Sequence, residues 1–526
     1  MAALVTPNSG DVIQASHIAQ LTGLIAGSAG KGQLVQFHQY EDATNYANVF
    51  GNKDTTNGRA LKVQYGDPSG TPITLATFQK SSSRIQSNDG TDYIDISNSG
   101  VAVTGAFSIN GQSVGAGVKV YNVLDYEIVA GTDNTYAANN TTKLATLWTT
   151  VANAGGGAIY FPAGQYAFNA STTLDHGVGS TIRGIGIMGD GQATRLNLYG
   201  TTGPWFSFAT AVGSACQDGF VKDLAIWHKG VTASGATIRH GALSNWAYEN
   251  VYMVDSGGGL APYYGIEIAG SVAQTNVWVR NCKFEETKIA CIRVANSGSS
   301  GGLFVTGSDL SGNGSTSFGI DFVNAGAWDT VEVIGGLIKD HSVGIRKTAG
   351  AGLVSNVLIQ GVKLDGNANY GIQVQPPTSS ACTTWQILGC WISAGNRGVW
   401  VDETGGGTLA GVQVSDTYIT GPDDGGIIIG AGVDETLITG NRINAAATNF
   451  STTYGIDIGG ASGTITDVIV MGNWIKVGGS ASGAMRISSA ADPVTSAANQ
   501  FRGVNDTFGG STGTSRVDDA SNTFKA

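Results

Sequence analysis

The chain has 526 residues, of which only 13% are charged and 79 are glycine, and its formal net charge is −11 at pH 7. A hydrophobic content of 41% excludes a disordered chain, while low charge and abundant glycine are typical of short strands joined by tight turns. An acidic chain without clusters of lysine and arginine is a poor candidate for a nucleic-acid partner. No apolar stretch of about 18 residues occurs, so we expect no membrane span.

The first 30 residues carry a helical pattern. Asp11 can cap a helix in which Val12, Ile18 and Leu21 recur near a period of 3.6 residues. We therefore predict an amphipathic helix over residues 1–30.

Residues 31–117 read as strands and turns. Apolar and polar residues alternate in segments 61–65 and 93–96, which is the period of a half-buried strand. The run 115–117, Gly-Ala-Gly, marks a boundary. The opening motif at residues 10–13 and the segment 105–114 resemble phage tail-fibre proteins, which implies that residues 1–117 join the chain to other phage tail or baseplate proteins.

Residues 118–166 combine several motifs in a fixed order. A strand over 118–126 precedes a Gly-Thr-Asp-Asn-Thr turn at 131–135, an amphipathic helix near 137–153 and a Gly-Gly-Gly-Ala-Ile-Tyr-Phe-Pro run from residue 155. This order resembles the start of the pectate-lyase-superfamily (pectin-lyase-like) right-handed parallel β-helix of phage tailspikes. Asn134 replaces the second aspartate of that family's turn. The resemblance implies that the helix caps the end of the β-helix.

An internal repeat follows. A Gly-Ile-x-Val-like phrase recurs at residues 265, 291, 319, 344, 371, 398, 426, 455 and 484, every 25 to 29 residues. Each repeat has room for about three short strands with inward apolar residues at period 2, and one repeat cannot bury its own apolar face. We predict an all-β fold in which residues 118–490 form a right-handed parallel β-helix of about ten coils, covered by residues 491–526.

Outward positions of the repeat place charged residues in one column. Glu267, Arg293, Asp321 and Arg346 succeed one another at about 4.8 Å per coil. One interpretation is a ladder of ion pairs. The other makes Glu267 and Asp321 a catalytic carboxylate pair, because two coils give about 9.6 Å and inverting glycosidases separate their carboxyls by about 6.5–9.5 Å. Arg293 argues against a general acid here, since a neighbouring cation favours the ionised carboxylate.

Asp423 and Asp424 form a second candidate catalytic pair. The segment 421–427 resembles the Gly-x-Asp-Asp-x-Ile segment of polygalacturonase-type glycoside hydrolases, which implies acid and base roles for the two aspartates. Arg486 then corresponds to the arginine that binds the substrate carboxylate. Ser488 replaces that family's lysine, and other positions depart from it as well. Pro-Asp-Asp-Gly is also an ordinary turn sequence, so a solvated or Ca²⁺-binding turn is the alternative.

Three aromatic residues, Trp391, Trp400 and Tyr418, are predicted to point outward from two adjacent coils. Clustered exposed aromatic residues indicate a covered or functional surface. The rings could stack on sugar faces, or they could be buried between subunits.

Five cysteines in an odd number, without metal-like spacing, indicate reduced thiols. The first residues lack the charged and apolar regions of a signal peptide, so we expect synthesis in a host cytoplasm and not a secreted pectin-degrading enzyme. No cofactor motif occurs. The resemblance implies a homotrimeric tail fibre or tailspike in the virion that meets a bacterial surface polysaccharide. It leaves open whether the protein depolymerises that polysaccharide or is a non-catalytic adhesin or structural fibre.

Overall fold

The structure is a computed structural model. It describes the strands between residues 34 and 114 by their backbone, residues 119–502 with gaps, and two further strands at 516–518 and 523–525. The gaps lie at 133, 170–171, 175–180, 200–203, 205, 209–214, 230–234, 256–262, 315, 324–325, 378–380, 402–407, 431, 446–453, 460–464, 478–482 and 488–493. The helix predicted for residues 1–30 lies outside the described residues.

The chain divides into two compact units, Met1–Lys119 and Val120–Ala526. The first unit contains a seven-stranded antiparallel sheet whose strands pair in sequence order, and a separate hairpin. The sheet strands are Leu34–Phe37, Tyr46–Asp54, Gly58–Gly66, Ile73–Phe78, Ser82–Gln86, Tyr93–Ser97 and Gly100–Thr104, and the hairpin strands are Phe107–Ile109 and Gln112–Val114.

The second unit is a parallel solenoid with three strands in each regular coil. Strands in corresponding positions of successive coils pair in parallel and define three faces. Faces 1 and 2 belong to one 28-stranded sheet, and face 3 is a separate 12-stranded sheet. The number of coils is about ten, as predicted.

The strands of the second unit have the following bounds. Short elements at its start and side are the strands Val120–Asn122, Thr181–Arg183, Ala215–Gln217, Ala381–Cys382 and Thr408–Leu409, and the 3₁₀ turns Val123–Tyr126 and Asn134–Tyr136. Long strands that run through both face 1 and face 2 are Ile185–Leu198, Phe220–His228 and Leu243–Asp255. Face 1 contains Gly157–Tyr160, Thr275–Arg280, Ser300–Thr306, Trp328–Ile334, Val354–Gln360, Trp385–Leu388, Val412–Ser415, Thr436–Thr439, Val468–Met471, Val494–Ala497 and Arg516–Asp518. Face 2 contains Gly164–Phe168, Lys283–Thr287, Asp309–Gly312, Leu337–Lys339, Lys363–Asn367, Trp391–Ala394, Tyr418–Thr420, Arg442–Ala445, Trp474–Val477, Gln500–Arg502 and Thr523–Lys525. Face 3 contains Thr172–Leu174, Phe206–Phe208, Ala236–His240, Tyr264–Ile268, Ala290–Val294, Phe318–Phe322, Val343–Lys347, Tyr370–Val374, Arg397–Val401, Gly425–Ile429, Tyr454–Ile458 and Gly483–Ile487.

Apolar residues at alternate strand positions point inward and stack from coil to coil. On face 3 the isoleucine of each repeat phrase pairs with that of the next, as Ile266 does with Ile292 and Ile292 with Ile320, and all three are fully buried. The glycine of the phrase allows close approach. A Cβ on Gly371 would lie 2.6 Å from the carbonyl oxygen of Gly398 and 2.4 Å from Cγ2 of Ile392.

The helix α1, Ala137–Asn153, lies at the N-terminal end of the core. Its buried side chains include Leu144, Leu147, Trp148 and Val151, so the predicted apolar face is confirmed. The Trp148 ring lies 5.3 Å from that of Phe208. A helix here covers coil edges that would otherwise expose unpaired groups.

The parallel ladder runs past residue 490, the predicted end of the β-helix. Val494–Ala497 pairs with Val468–Met471, and Gln500–Arg502 pairs with Trp474–Val477. The described part of segment 491–526 therefore extends faces 1 and 2.

All five cysteines are buried. Burial raises the pKa of Cys282 to about 12, so this thiol stays protonated at neutral pH. Within the described residues, we find no helix with the length and apolar character needed to cross a membrane.

Candidate functional site

The turn between face 1 and face 2 fixes which residues point outward on face 2. In the last coils this turn has a glycine with positive φ, such as Gly440 (φ 65°), followed by a buried asparagine. Asn441 donates from its backbone nitrogen and from Nδ2 to Oδ1 of Asn473, and Asn473 does the same to Asn499, at 2.9–3.0 Å. This asparagine ladder holds the turn inward, so the next residue of each coil must point outward.

Those outward residues form one column on face 2. Register pairs join Lys363, Trp391, Tyr418, Arg442 and Trp474 in five successive coils. We call these five residues the aromatic strip. Coils repeat at about 4.8 Å, so the strip is roughly 19 Å long.

The cations of the aromatic strip lie over its rings. Lys363 Nζ is 4.2 Å from the ring centroid of Trp391. The Arg442 guanidinium is 5.4 Å from the Tyr418 ring and 4.9 Å from the Trp474 ring. Stacked cations and rings of this kind hold each other in place, so the strip is a preorganised surface. Trp391, Tyr418 and Trp474 are partly exposed, and Lys363 and Arg442 are exposed.

A column of hydrogen-bonding groups runs beside the rings. Ser393 pairs in register with Thr420, and Thr420 with Asn444, all of them partly exposed. Oδ1 of Asn444 is buried and has no hydrogen-bond partner among the described residues. Rings flanked by hydroxyl and amide groups can contact both the apolar and the polar side of one ligand.

A mixed acid–base cluster lies on the same face, two coils before Lys363. Asp309 pairs in register with Lys283, and Glu285 forms an ion pair with Lys283 at 2.5 Å. Burial raises the pKa of the Asp309 carboxyl, with Lys283 and Lys339 acting in the opposite direction. Oδ1 of Asp309 is buried without a hydrogen-bond partner among the described residues. A carboxyl with a raised pKa beside an ion-paired carboxylate is an arrangement that acid–base catalysis requires.

Glu267 lies on face 3 in a column of ion pairs. Its Oε2 accepts a hydrogen bond from Arg239 Nε at 2.6 Å, and its Oε1 accepts one from Arg293 Nη1 at 2.5 Å. Only 3% of Glu267 is exposed. The Arg293 guanidinium also lies 4.6 Å from the ring of Tyr264.

Asp321 stands two coils from Glu267 in the same column, as predicted, and binds a different arginine. Both carboxylate oxygens accept bonds from Arg346, at 2.8 and 2.9 Å, and only 2% of Asp321 is exposed. Each of the two carboxylates is buried and accepts two charge-assisted hydrogen bonds, which is the geometry of a structural ion pair. The contacts of Glu267 and Asp321 therefore correspond to the ion-pair ladder, and their catalytic role stays an untested prediction.

Asp423 and Asp424 lie in the turn that precedes strand Gly425–Ile429. Asp424 Oδ2 accepts bonds from Nε and Nη2 of Arg397 at 3.0 and 2.8 Å. The backbone nitrogens of the two aspartates donate to Gly395 and Asn396 in the previous coil. The predicted pair thus sits at the edge of face 3, with one member neutralised by an arginine.

The predicted grouping of Trp391, Trp400 and Tyr418 spans two faces of the solenoid. Trp391 and Tyr418 are register partners on face 2. Trp400 pairs with residues of face 3, and its ring lies 4.8 Å from that of Tyr370. The three aromatic residues belong to two adjacent coils but to different sheets, and the substrate-binding role predicted for Trp400 stays untested.

Arg486 also lies on face 3 and is engaged by a neighbouring coil. Nε and Nη2 of Arg486 donate to Asp457 at 2.7 and 2.5 Å, and the guanidinium lies 4.8 Å from the Tyr454 ring. Burial raises the pKa of Asp457, and the adjacent Arg486 acts to lower it. The ion pair uses Nε and Nη2 of the five N–H donors of a guanidinium, and binding of a substrate carboxylate by Arg486 stays an untested prediction.

No group of three or more potential metal ligands occurs among the residues that the structure describes. Ca²⁺ binding at the Asp423–Asp424 turn remains an untested prediction.

Comparison with known proteins bears on the fold. Residues 264–443 match the family model described as "Right handed beta helix region". The solenoid is a right-handed parallel β-helix. This confirms the fold predicted from the sequence.

Solved structures with similar folds come from bacteria and phages. A surface adhesin of Streptococcus pneumoniae, PfbA, has 13% identity and a TM-score of 0.43, with 74% of this chain and 93% of that chain covered. A mutant tailspike protein of Escherichia coli bacteriophage HK620, in complex with a pentasaccharide, has 14% identity and a TM-score of 0.38, with 76% and 80% covered. A fragment of bacteriophage Phi29 gene product 12 has 12% identity and a TM-score of 0.40, with 72% and 66% covered. No curated protein matches the chain.

Three members of the aromatic strip, Lys363, Arg442 and Trp474, were not predicted from the sequence, and neither was Asp309. The signal was present, because each residue directly precedes the inward apolar residue of face 2, such as Ile443 after Arg442. Aligning the repeats on this second phrase, rather than on the Gly-Ile phrase, places all of them in one column.

Proposed function

We propose that this protein is a subunit of a phage tail fibre or tailspike that binds a bacterial surface polysaccharide through the aromatic strip. The observation that carries the proposal is the column of three rings and two cations on face 2, which is continuous over five coils. Trp391 and Tyr418 lie one coil apart, Tyr418 and Trp474 lie two coils apart with Arg442 between them, and hydroxyl and amide side chains line the column. A polysaccharide offers repeating apolar faces edged by hydroxyl groups, and this surface matches both features.

Substitution of Trp391 and of Trp474 by alanine tests the binding site. Each change removes a large contact surface without cutting a buried network, so we expect at least roughly tenfold weaker glycan binding, or about 1.4 kcal/mol. Trp400→Ala on face 3 is the matched control and leaves binding unchanged. The measurement is binding of the purified full chain to surface polysaccharides of candidate host bacteria. Equal loss in all three variants would refute face 2 as the site.

The proposal includes attachment of the chain to the virion through residues 1–117. Virion location and the tail or baseplate partner rest on the sequence resemblance. Immunogold labelling of phage particles tests the location. Co-purification tests the partner, since tail proteins should accompany the full-length chain but not residues 118–526. Labelling away from the tail would contradict the proposal.

A homotrimer is also part of the proposal, with face 1 as the contact between copies. Its outward side chains include the exposed Ile469 and Met471, and Leu437 pairs in register with Ile469. Apolar side chains in adjacent coils form a surface that favours burial. Light scattering of the full chain should give three times the mass of 53.8 kDa, and Ile469→Glu should shift the protein towards monomers. A monomer in the unsubstituted protein would contradict this arrangement.

Depolymerisation of the bound glycan is a second candidate function, favoured by the cluster at Asp309. The buried, unpartnered oxygen and raised pKa of Asp309 suit a proton donor, and the ion-paired Glu285 suits a base or nucleophile. The cluster and the aromatic strip share face 2, so a bound glycan could reach both.

Measuring the size of the glycan products and their number of reducing ends distinguishes a depolymerase from an adhesin. Ultraviolet absorbance would reveal the unsaturated sugars of a lyase. If Asp309 is the acid, Asp309→Asn abolishes chain shortening while Asp423→Asn and Asp424→Asn do not. Loss of activity only in the last two variants would instead establish the site predicted from the sequence. Binding without shortening would favour a non-catalytic adhesin or structural fibre.

A further inference from the structure

The cations on the two aromatic faces differ in their partners. On face 3, arginines bind carboxylates of adjacent coils, as Arg346 binds Asp321 and Arg486 binds Asp457. On face 2, Arg442 is exposed and contacts only rings, and no described residue forms an ion pair with it. Each arginine of the face 3 strands therefore has a carboxylate partner, whereas Arg442 has none among the described residues.

Two further cations extend this unbalanced charge along face 2. Lys476 and Arg502 are register partners in the column beside Arg442 and Trp474. Both are exposed, and neither has an ion-pair partner among the described residues. The face 2 strands from Tyr418 to Arg502 contain these three cations and no carboxylate.

The start of the strip contrasts with its end. Lys363 forms an ion pair with Asp365 at 2.9 Å, so the charge next to Trp391 is neutralised on the protein. The formal net charge of the whole chain is −11. The three exposed, unpaired cations therefore form a locally positive region on an acidic protein. An anionic ligand group would supply the missing partner at this end of the strip.

The neighbouring groups favour a sugar acid over a nucleic acid. Single-stranded nucleic acids also bind to rings and cations, so the distinction rests on the uncharged groups beside the rings. Thr420 and Asn444 place uncharged hydrogen-bonding groups beside the rings, where sugar hydroxyls would lie.

Resting on the function proposed above, we infer that the bound glycan is acidic and carries carboxylates, as uronic-acid polymers do. Its sugar faces stack on Trp391, Tyr418 and Trp474, and its carboxylates pair with Arg442, Lys476 and Arg502.

Matched acidic and neutral glycans test this inference on the full chain. The probes are polygalacturonate, alginate and hyaluronan, each beside its carboxyl-reduced form, together with surface polysaccharides of candidate hosts and a single-stranded oligothymidylate. We expect acidic polymers to bind roughly 10- to 100-fold more tightly than their reduced forms, the range given by one or two charge-assisted bonds. Binding should also weaken as salt is raised.

Arg442→Gln should remove most of this preference, and Arg442→Lys should restore part of it. Arg183→Gln is the control, because Arg183 is an exposed arginine on the short strand Thr181–Arg183, outside faces 1 and 2, where it pairs with Asp218. Both positions are exposed, and the melting temperature of each variant checks its fold.

The outcomes separate the inference from the proposed function. Equal binding of acidic and reduced glycans, with loss in Trp391→Ala, would overturn the inference and leave the glycan site intact. An unchanged preference in Arg442→Gln would also overturn it. Binding of oligothymidylate in preference to every glycan, or of no glycan at all, would refute both.

Discussion

The asparagine ladder allows a prediction that links stability to the candidate site. Asn473→Ala would remove the acceptor for the backbone nitrogen of Asn441 and the donor to the carbonyl oxygen of Ile438, bonds of 3.0 and 2.9 Å. Both groups are buried, and a buried polar group without a partner costs about 1–3 kcal/mol. We therefore expect the free energy of unfolding to fall by about 2–6 kcal/mol.

The damage should be local as well as global, since each coil contacts only its neighbours. Hydrogen exchange should accelerate most around Arg442 and Trp474, and glycan binding at the aromatic strip should weaken although neither residue is changed. Denaturant unfolding, hydrogen exchange read by mass spectrometry and glycan binding are the measurements.

Asn473→Thr is the matched control for this change. The equivalent position one coil before Asn441 is Thr417, whose hydroxyl accepts a hydrogen bond from the backbone nitrogen of Cys390 at 3.3 Å. Asn473→Thr can therefore keep one acceptor, and its free energy of unfolding should decrease less than that of Asn473→Ala. A loss below about 1 kcal/mol in Asn473→Ala, within the effect of an ordinary surface substitution plus error, would refute the ladder as the element that holds the turn.

Two further predictions concern the core. Burial lowers the pKa of His228 and His240 to about 3 and that of His341 to about 4. These values lie below the unfolded value of about 6.5. The contribution of the neutral histidines to the free energy of unfolding is therefore fully present above about pH 6.5 and decreases as the pH falls towards about 4. At pH 5 each histidine should cost about 2 kcal/mol relative to pH 7, and denaturation midpoints that do not change between pH 7 and pH 5 would contradict neutral burial. Gly371→Ala should lower the free energy of unfolding by about 1–3 kcal/mol through overpacking, with Gly350→Ala, where a Cβ meets nothing within 4 Å, as the control in the same denaturation experiment.

The fold was predictable because its signals are local and repeated. The Gly-Ile phrase recurs once per coil, and the structure places its isoleucines in one inward column from Ile266 to Ile456. Helix α1 was predictable from its apolar face and from the motifs on either side. The end of the ladder was not, because strands Val494–Ala497 and Gln500–Arg502 lack the face 3 phrase on which the repeat was aligned.

The candidate site was only partly predictable, because a site on a solenoid depends on which strand of the coil holds each residue. Trp391 and Tyr418 were predicted to be outward and are register partners. Trp400 is nine residues from Trp391 in the sequence and points outward as well, but the chain turns a corner between them. Period-2 alternation distinguishes inward from outward positions and contains no information about the position of that corner.

Charge pairing could not be predicted from the column alone either. The alternation of Glu267, Arg293, Asp321 and Arg346 suggested that each arginine serves the carboxylates on both sides. In the structure Arg293 binds Glu267, and Arg346 binds Asp321. Each guanidinium also lies over a ring of the strand that holds its carboxylate, Tyr264 for Arg293 and Phe318 for Arg346, a contact that the column of charges does not reveal.

The same reasoning explains why two faces with similar composition are suited to different roles. On face 3 the rings of Tyr264 and Tyr454 cover arginines whose charges are already bound to buried carboxylates. A ligand there would compete with carboxylates that already hold these arginines, so an added anion gains less than it would at an unpaired cation. On face 2 the guanidinium of Arg442 is exposed, and no described residue places a carboxylate beside it. A ligand can bind there without breaking an ion pair, so selection for binding should act on face 2 and selection for rigidity on face 3.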